Sequence, residues 1–126
     1  MTKRVQGKVD KGWGFEIVFS NTDKYCGKLL VFEKEGSKTS MIMHKEKDKS
    51  WFVNAGQFKV TVIDTLTSRV QERVLKEGDV CRCLPMQPHQ LEALAPGSII
   101  FEVSSSEQEN DDFRIAPGDS QNLKEE

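Results

Sequence analysis

Apolar residues along this chain come in short runs, most of them alternating with polar ones. The runs fall at 15–19, 28–32, 40–43, 51–53, 58–63, 69–75, 80–84, 90–94 and 99–103. Each has the length of a strand, and glycine, proline, asparagine or aspartate usually separates it from the next. Phe58-Lys59-Val60-Thr61-Val62 alternates strictly, as a strand does when one face is buried and the other is wet. No window long enough for a helix carries a 3.6-residue period. Many short strands at regular spacing predict an all-β fold, an antiparallel sandwich or barrel. No internal repeat stands out.

The two ends differ from the middle. Residues 104–112 are polar and acidic, and their composition predicts a solvated loop. Residues 113–115 fit one further edge strand, Pro117-Gly118-Asp119 marks a turn, and 122–126 read as a frayed tail. The expectation is one domain over 1–126, with its core at about 12–104 and an extension over 105–126.

Composition narrows the function classes. The chain has 126 residues, 37% hydrophobic and 30% charged, which suits one globular domain and leaves no room for a separate cofactor-binding half. Lys plus Arg number 18 against 20 Asp plus Glu, and this balance argues against a nucleic-acid partner. No apolar run approaches the roughly 20 residues a membrane helix needs. The polar start, residues 1–8, lacks the apolar centre of a signal peptide, so a cytoplasmic location is expected. The three cysteines would then stay reduced.

Few residues are chemically conspicuous. The only two histidines, His44 and His89, lie in different runs. Cys81 and Cys83 share one face of a strand, read as two small buried hydrophobes or as part of a soft-metal site with His89. Cys26 has no evident partner. Glycine-rich phosphate loops, nucleophile elbows and paired-cysteine zinc patterns are missing from the sequence.

Two stretches resemble the motifs of the cupin superfamily. The first motif reads G-x5-H-x-H-x4-E-x6-G; here Gly36 opens it, Gly56 closes it, and the three inner positions hold Ile42, His44 and Lys49 at the proper spacing, Ile42 for the first His and Lys49 for the Glu. The second reads G-x5-P-x-G-x2-H-x3-N; here Gly78 opens it, His89 keeps its place, and Leu84, Met86 and Ala93 replace Pro, Gly and Asn. The loop between the motifs, near 64–69, has ordinary cupin length. Lys11-Gly12-Trp13-Gly14-Phe15-Glu16 is similar to a segment in the cupin domain of mannose-6-phosphate isomerases. Residues 25–28 and the stretch 113–121 look like those of small stand-alone cupins related to these isomerases. The resemblance covers nearly the whole chain.

It implies an antiparallel jelly-roll β-barrel with His44, Trp51, Val53, His89 and Ile42 inside and Lys49 nearby. It also implies a homodimer joined through edge strands and swapped N-terminal segments. In metal-binding cupins three imidazoles and one carboxylate hold a divalent Fe, Mn, Ni or Zn ion. Here Ile42 offers no donor, and Lys49 puts a cation where the family has an anion. A unit charge repels a dication by about 8 kcal/mol at ~4 Å and an effective dielectric near 20. No cofactor is therefore expected; if the altered site still takes a metal, His44 and His89 are its ligands. Lys49 has three readings: an ammonium that snorkels to the barrel mouth, a binder of an anionic ligand, or a buried amine of lowered pKa acting as base or nucleophile. Alternation puts Trp51 and Val53 on its face, so Trp51 is either core filling or a flat floor for a sugar ring.

Two functions follow. One is a binding module holding a small polar or anionic ligand, a sugar or sugar phosphate by resemblance, among His44, Lys49, Trp51, His89 and Ile42. The other is a sugar-phosphate isomerase- or epimerase-like enzyme in which the histidines and Lys49 move a proton between adjacent carbons. The loss of metal ligands ranks binding first.

Overall fold

A computed structural model describes residues 7–107 and 110–119. It contains eleven strands and, among the described residues, no helix. They are β1 (Gly7–Lys11), β2 (Gly14–Asn21), β3 (Tyr25–Phe32), β4 (Met41–His44), β5 (Lys49–Ala55), β6 (Gln57–Ile63), β7 (Val70–Lys76), β8 (Val80–Cys83), β9 (His89–Ala93), β10 (Ser98–Ser105) and β11 (Asp112–Ala116). They form two antiparallel sheets, ordered β1-β2-β3-β10-β5-β8 and β11-β4-β9-β6-β7.

Four pairings explain this order. β6 pairs with β7, β5 with β8, β4 with β9 and β3 with β10. The chain thus forms one long hairpin whose tip is the β6–β7 turn, rolled so that alternate rungs fall in opposite sheets. This is the jelly-roll arrangement. The turn spans 64–69 and is held by Asp64, whose carboxylate accepts the Leu66 and Thr67 amides. β1 and β2 extend one sheet and β11 borders the other.

The core lies between the sheets. Leu30, Phe32, Trp51, Val53 and Ile100 from one meet Phe58, Val60, Leu75, Leu91 and Ala93 from the other. Trp13 stacks on Phe32 with centroids 4.2 Å apart, and Phe32 meets Phe58 edge-on at 5.0 Å. Cys83 is buried in this core, whereas Cys81 is only partly buried against it and its contact with the Cys83 thiol lowers its pKa to about 7; all three cysteines are free. Gly56, which closes the first motif, has φ +78° and sits where a Cβ would collide with the Ser98 side chain.

Three expectations need correction. The polar start holds a strand, β1, paired along β2; its GKVDK sequence carries almost no apolar signal. The stretch 104–112 is not a simple solvated loop. Ser104 and Ser105 end β10, and Asp111 is buried, its carboxylate accepting the backbone N–H groups of Lys45, Glu46 and Lys47 at 2.7–2.9 Å. The further edge strand is β11, longer at both ends than expected. The tail at 122–126 lies outside the described residues.

Candidate functional site

Strand alternation builds the site in layers. The inward positions of β3, β10 and β5 lie in register. Leu30, Ile100 and Val53 form an apolar row. The next row is Lys28, Glu102 and Trp51, and the one after it Cys26, Ser104 and Lys49. One step along the sheet therefore turns the core from hydrocarbon to charge. Buried charges persist only when paired and hydrogen-bonded, and these are. Glu102 accepts the Trp51 Nε1–H at 2.8 Å and lies 3.6 Å from the Lys49 ammonium. Lys28 lies 3.5 Å from Glu16 and 3.0 Å from Glu107. Lys47, in the turn shaped by Asp111, reaches Glu107 at 2.6 Å.

These pairings set the charge states. Burial pushes the Glu102 carboxyl up, but Lys49, Lys28 and Lys47, with the Trp51 indole, outweigh it and hold it below the usual carboxylate range. The same balance works at Glu107, where burial is overcome by Lys28 and Lys47. Burial also acts against the Lys28 ammonium, and Glu102, Glu16 and Glu107 more than restore it.

The facing sheet supplies the histidines. His44 ends β4 and His89 begins β9, with Ile42 paired opposite His89. The imidazole centroids are 5.5 Å apart, and the Trp51 and His89 rings form a T-shaped pair with centroids 5.6 Å apart. β11 pairs Asp112 directly opposite His44, and the Asp112 Oδ1 lies 2.9 Å from His44 Nδ1. The His89 Nδ1–H donates to the Gln87 carbonyl at 2.9 Å. Both Nδ1 atoms thus face acceptors, and in neutral His89 this leaves Nε2 with its lone pair. Both Nε2 atoms are buried and have no hydrogen-bond partner among the described residues. Burial, and then the Lys49 charge, lowers the His89 pKa well below its ordinary value, so His89 is neutral at pH 7. The hydrogen bond from His44 lowers the Asp112 pKa.

A cavity of about 240 Å³ separates the two sets. Ile42, His44, Lys49, Trp51 and His89, the five residues singled out from the sequence, all line it. Val53, also expected inside the barrel, lies in the apolar core. Lys28, Lys47, Glu16, Glu102, Glu107, Asp112 and Arg114 line the cavity too, and sequence reasoning missed them. A signal existed for three of these. Lys28 shares parity with Leu30 and Phe32, Glu102 with Ile100, and Glu16 with Val18, so alternation aims each inward. Lys47 and Glu107 lie in turns, where parity says nothing.

The mononuclear metal implied by the resemblance does not fit this donor set. Among the described residues no group of three His, Cys, Asp or Glu side chains is placed to hold an ion. The Lys49 ammonium, 5.3 Å from the centroid of the Trp51 ring, occupies the carboxylate's place, and Ile42 adds only hydrocarbon. Met86, at the glycine position of the second motif, has φ +67°, and its N–H donates to the His44 carbonyl at 2.6 Å.

No protein-family profile and no curated protein matches the chain. Solved structures do. KdgF from Halomonas sp. superposes with a TM-score of 0.64, at 20% identity over 76% of this chain and 81% of that one. CapF from Staphylococcus aureus, a capsular polysaccharide assembling protein, gives 0.75 at 13% identity over 90% of this chain and 33% of its own. Oxalate decarboxylase from Bacillus subtilis gives 0.73 at 18% identity, with coverages of 90% and 33%. The chain therefore spans about a third of the length of the last two. Likeness at these identities establishes the fold.

Proposed function

The chain has the fold of a small cupin, and from that premise we propose that it binds a small, polar, anionic ligand between its sheets without a mononuclear metal. A sugar or sugar phosphate is the class we favour. The carrying observation is the pair of buried Nε2 atoms, without a hydrogen-bond partner among the described residues, that share one cavity with the charges of Lys28, Glu102 and Lys49. Sugar hydroxyls donate to imidazole lone pairs and to carboxylates, and they accept from ammonium groups. Trp51 offers an apolar face to a ring. The cavity lies below the roughly 300–1,000 Å³ of pockets for drug-sized ligands, which limits the occupant to about one sugar unit. The isomerase-like segment at residues 11–16 and the polysaccharide role in the name of CapF support the sugar class.

A second reading is proton transfer on such a ligand, favoured by the Asp112–His44 pair. A carboxylate on Nδ1 orients the imidazole and supports a proton taken at Nε2. Lys49 is placed to stabilise a developing oxyanion. In this reading His44 is the base, Asp112 positions it, and no step passes through a metal.

Titration calorimetry with hexoses, hexose 6-phosphates and inorganic phosphate tests the proposal. The expected result is binding of a hexose phosphate with a Kd below about 1 mM, weakened at least tenfold by Lys49→Met. Absence of binding by every compound, or affinity unchanged in Lys49→Met, refutes it. Exchange of a carbon-bound hydrogen into heavy water, lost in His44→Gln, would select the second reading.

A further inference from the structure

Two thiols stand side by side at one edge of the sandwich, and neither lines the cavity. Cys81 and Cys83 lie on β8, two positions apart, so both side chains leave the strand on one face. That face is the inner one: Cys81 pairs with Trp51 and Cys83 with Lys49, across to β5. The Cys83 thiol donates a hydrogen bond to the Cys81 sulfur. Cys83 is 1% exposed, whereas Cys81 is partly open to solvent. Cys26 takes no share in this contact. It lies in the row of Cys83 but three strands away, roughly 14 Å at about 4.8 Å per strand.

The surroundings give the two thiols different characters. β8 ends its sheet, so its backbone is paired on the β5 side only and is free to pucker. Alternate Cα atoms of a strand are about 6.6 Å apart, just inside the span of up to about 6.8 Å that a disulfide bridges. The bond from Cys83 stabilises a thiolate on Cys81 against the opposing effect of burial, and the Arg73 guanidinium adds to it. Arg73 reaches over from β7, at the edge of the facing sheet, and its Nη2 donates to the Val80 carbonyl at 3.0 Å. The same thiol–thiol bond, and then burial, push the Cys83 pKa up; Lys49 acts against them and Glu102 with them. A cysteine that only fills a core is inert, whereas an accessible thiolate with a second thiol in reach is the form a redox-sensing pair takes.

We propose that Cys81 and Cys83 are a redox-active pair, which a small peroxide converts, through attack by Cys81, into an intra-strand disulfide. The Cys81 thiolate attacks one peroxide oxygen and the O–O bond breaks. Hydroxide leaves and takes up the proton that Cys81 had released. Cys81 is then a sulfenic acid, oxidised by two electrons. The hydrogen bond that held Cys83 protonated disappears with the thiolate. The Cys83 sulfur attacks the Cys81 sulfur, the S–O bond breaks, and the hydroxyl leaves with the Cys83 proton as water. Two thiols and one hydrogen peroxide thus give one disulfide and two waters. A bridge at the far end of the permitted span, on an edge strand, is strained and accessible, and such bonds are the labile ones. Exchange with a small thiol therefore returns the pair to its reduced form.

Peptide mapping without reduction tests this on the unaltered full chain. Trypsin cuts after Arg82, so the disulfide joins the peptide Glu77–Arg82 to the one that begins at Cys83. Hydrogen peroxide in about tenfold excess at neutral pH is expected to give this joined pair as the main thiol product, in a chain that stays single on a non-reducing gel, and glutathione is expected to undo it. At pH 7 a thiol of pKa about 7 is about half thiolate, against about 3% for one near 8.5, and its lower nucleophilicity returns a factor of about 4–5. Cys81 should therefore react about threefold faster in the folded chain than in urea. Cys83→Ser should stop at a sulfenic acid on Cys81, trapped as one adduct with a cyclic dione, and Cys81→Ser should leave Cys83 unreacted. Peptides that stay separate, a bridge between two chains, or oxidation that falls first on Cys26 overturns the proposal. So does a Cys81 that reacts no faster folded than in urea, and none of these four outcomes needs a variant.

Discussion

Glutamine in place of Glu102 removes one charge and little else. The amide oxygen can still accept the Trp51 Nε1–H, and the side chain keeps its volume. What is lost is the counter-ion of three lysines. Lys28 retains Glu16 and Glu107, and Lys47 retains Glu107, but Lys49 has no other carboxylate bridging it among the described residues. At 3.6 Å and an effective dielectric near 20 the Lys49–Glu102 attraction is about 4–5 kcal/mol. Removing the carboxylate also relieves its own desolvation, and buried pairs broken on one side lose about 3–5 kcal/mol in all. We take ~3 kcal/mol, the low end, because the amide keeps the indole bond. With unfolding entropy near 2.1 cal/mol/K per residue over 126 residues, that lowers Tm by about 11 °C. Thermal unfolding followed by circular dichroism at pH 7 measures it. Lys49→Met added to Glu102→Gln should recover at least half of the loss, because it removes the stranded cation. A Glu102→Gln protein melting within about 2 °C of the parent refutes the buried ion-pair reasoning. So does a double variant no more stable than the single one.

Three further outcomes follow. His89 is held neutral by burial and by Lys49, so its stabilising effect is complete above the unfolded value of 6.5 and is lost as pH falls below it. Glu102 and Glu107, depressed from 4.5, add a second loss below that pH. The urea midpoint should therefore decline between pH 6.5 and 4.5 in the parent and stay nearly flat there in His89→Gln; a flat parent curve would contradict this. Met86→Gly relieves a left-handed backbone costing about 1–2 kcal/mol, against the glycine's extra unfolded-state freedom. It should stabilise the protein by about 0.5 kcal/mol in urea unfolding, and a loss of stability would count against strain there. Ile42→His combined with Lys49→Glu restores four donors, and calorimetry with Zn²⁺ or Ni²⁺ should show one site in the variant and none in the parent.

The strands and the jelly roll were legible because buried β-structure writes itself as alternation and turns, and the motif glycines mark two of those turns. β1 was not, because an edge strand with little buried surface needs few apolar residues. His44, His89, Trp51, Lys49 and Ile42 were found through motif spacing, and they do line one cavity. The carboxylates were missed for a different reason. Glu102 and Glu16 look like surface residues unless their parity with Ile100 and Val18 is followed through the strand. Asp112 gains its role from a cross-strand partner 68 positions earlier, His44, and no local pattern encodes that. Asp111 and Glu107 sit in an acidic stretch whose composition is that of a solvated loop. Only the lysines it meets distinguish it.

The nested hairpin has a consequence for how the chain reaches this state. Its innermost rung joins Ile63 to Val70, whereas its outermost joins Tyr25 to Ser105. Closing a loop costs more as it lengthens, though only logarithmically. Assembly is therefore expected to begin at the β6–β7 tip and proceed outward, and the all-β, non-local pairing places folding in the range of milliseconds to seconds. Pulsed hydrogen exchange during refolding should protect the Val60 and Arg73 amides before those of Leu30 and Ile100. Lys28 and Glu102 sit on the last rung to close, so the charged row would assemble only after the hydrocarbon layers beneath it are dry.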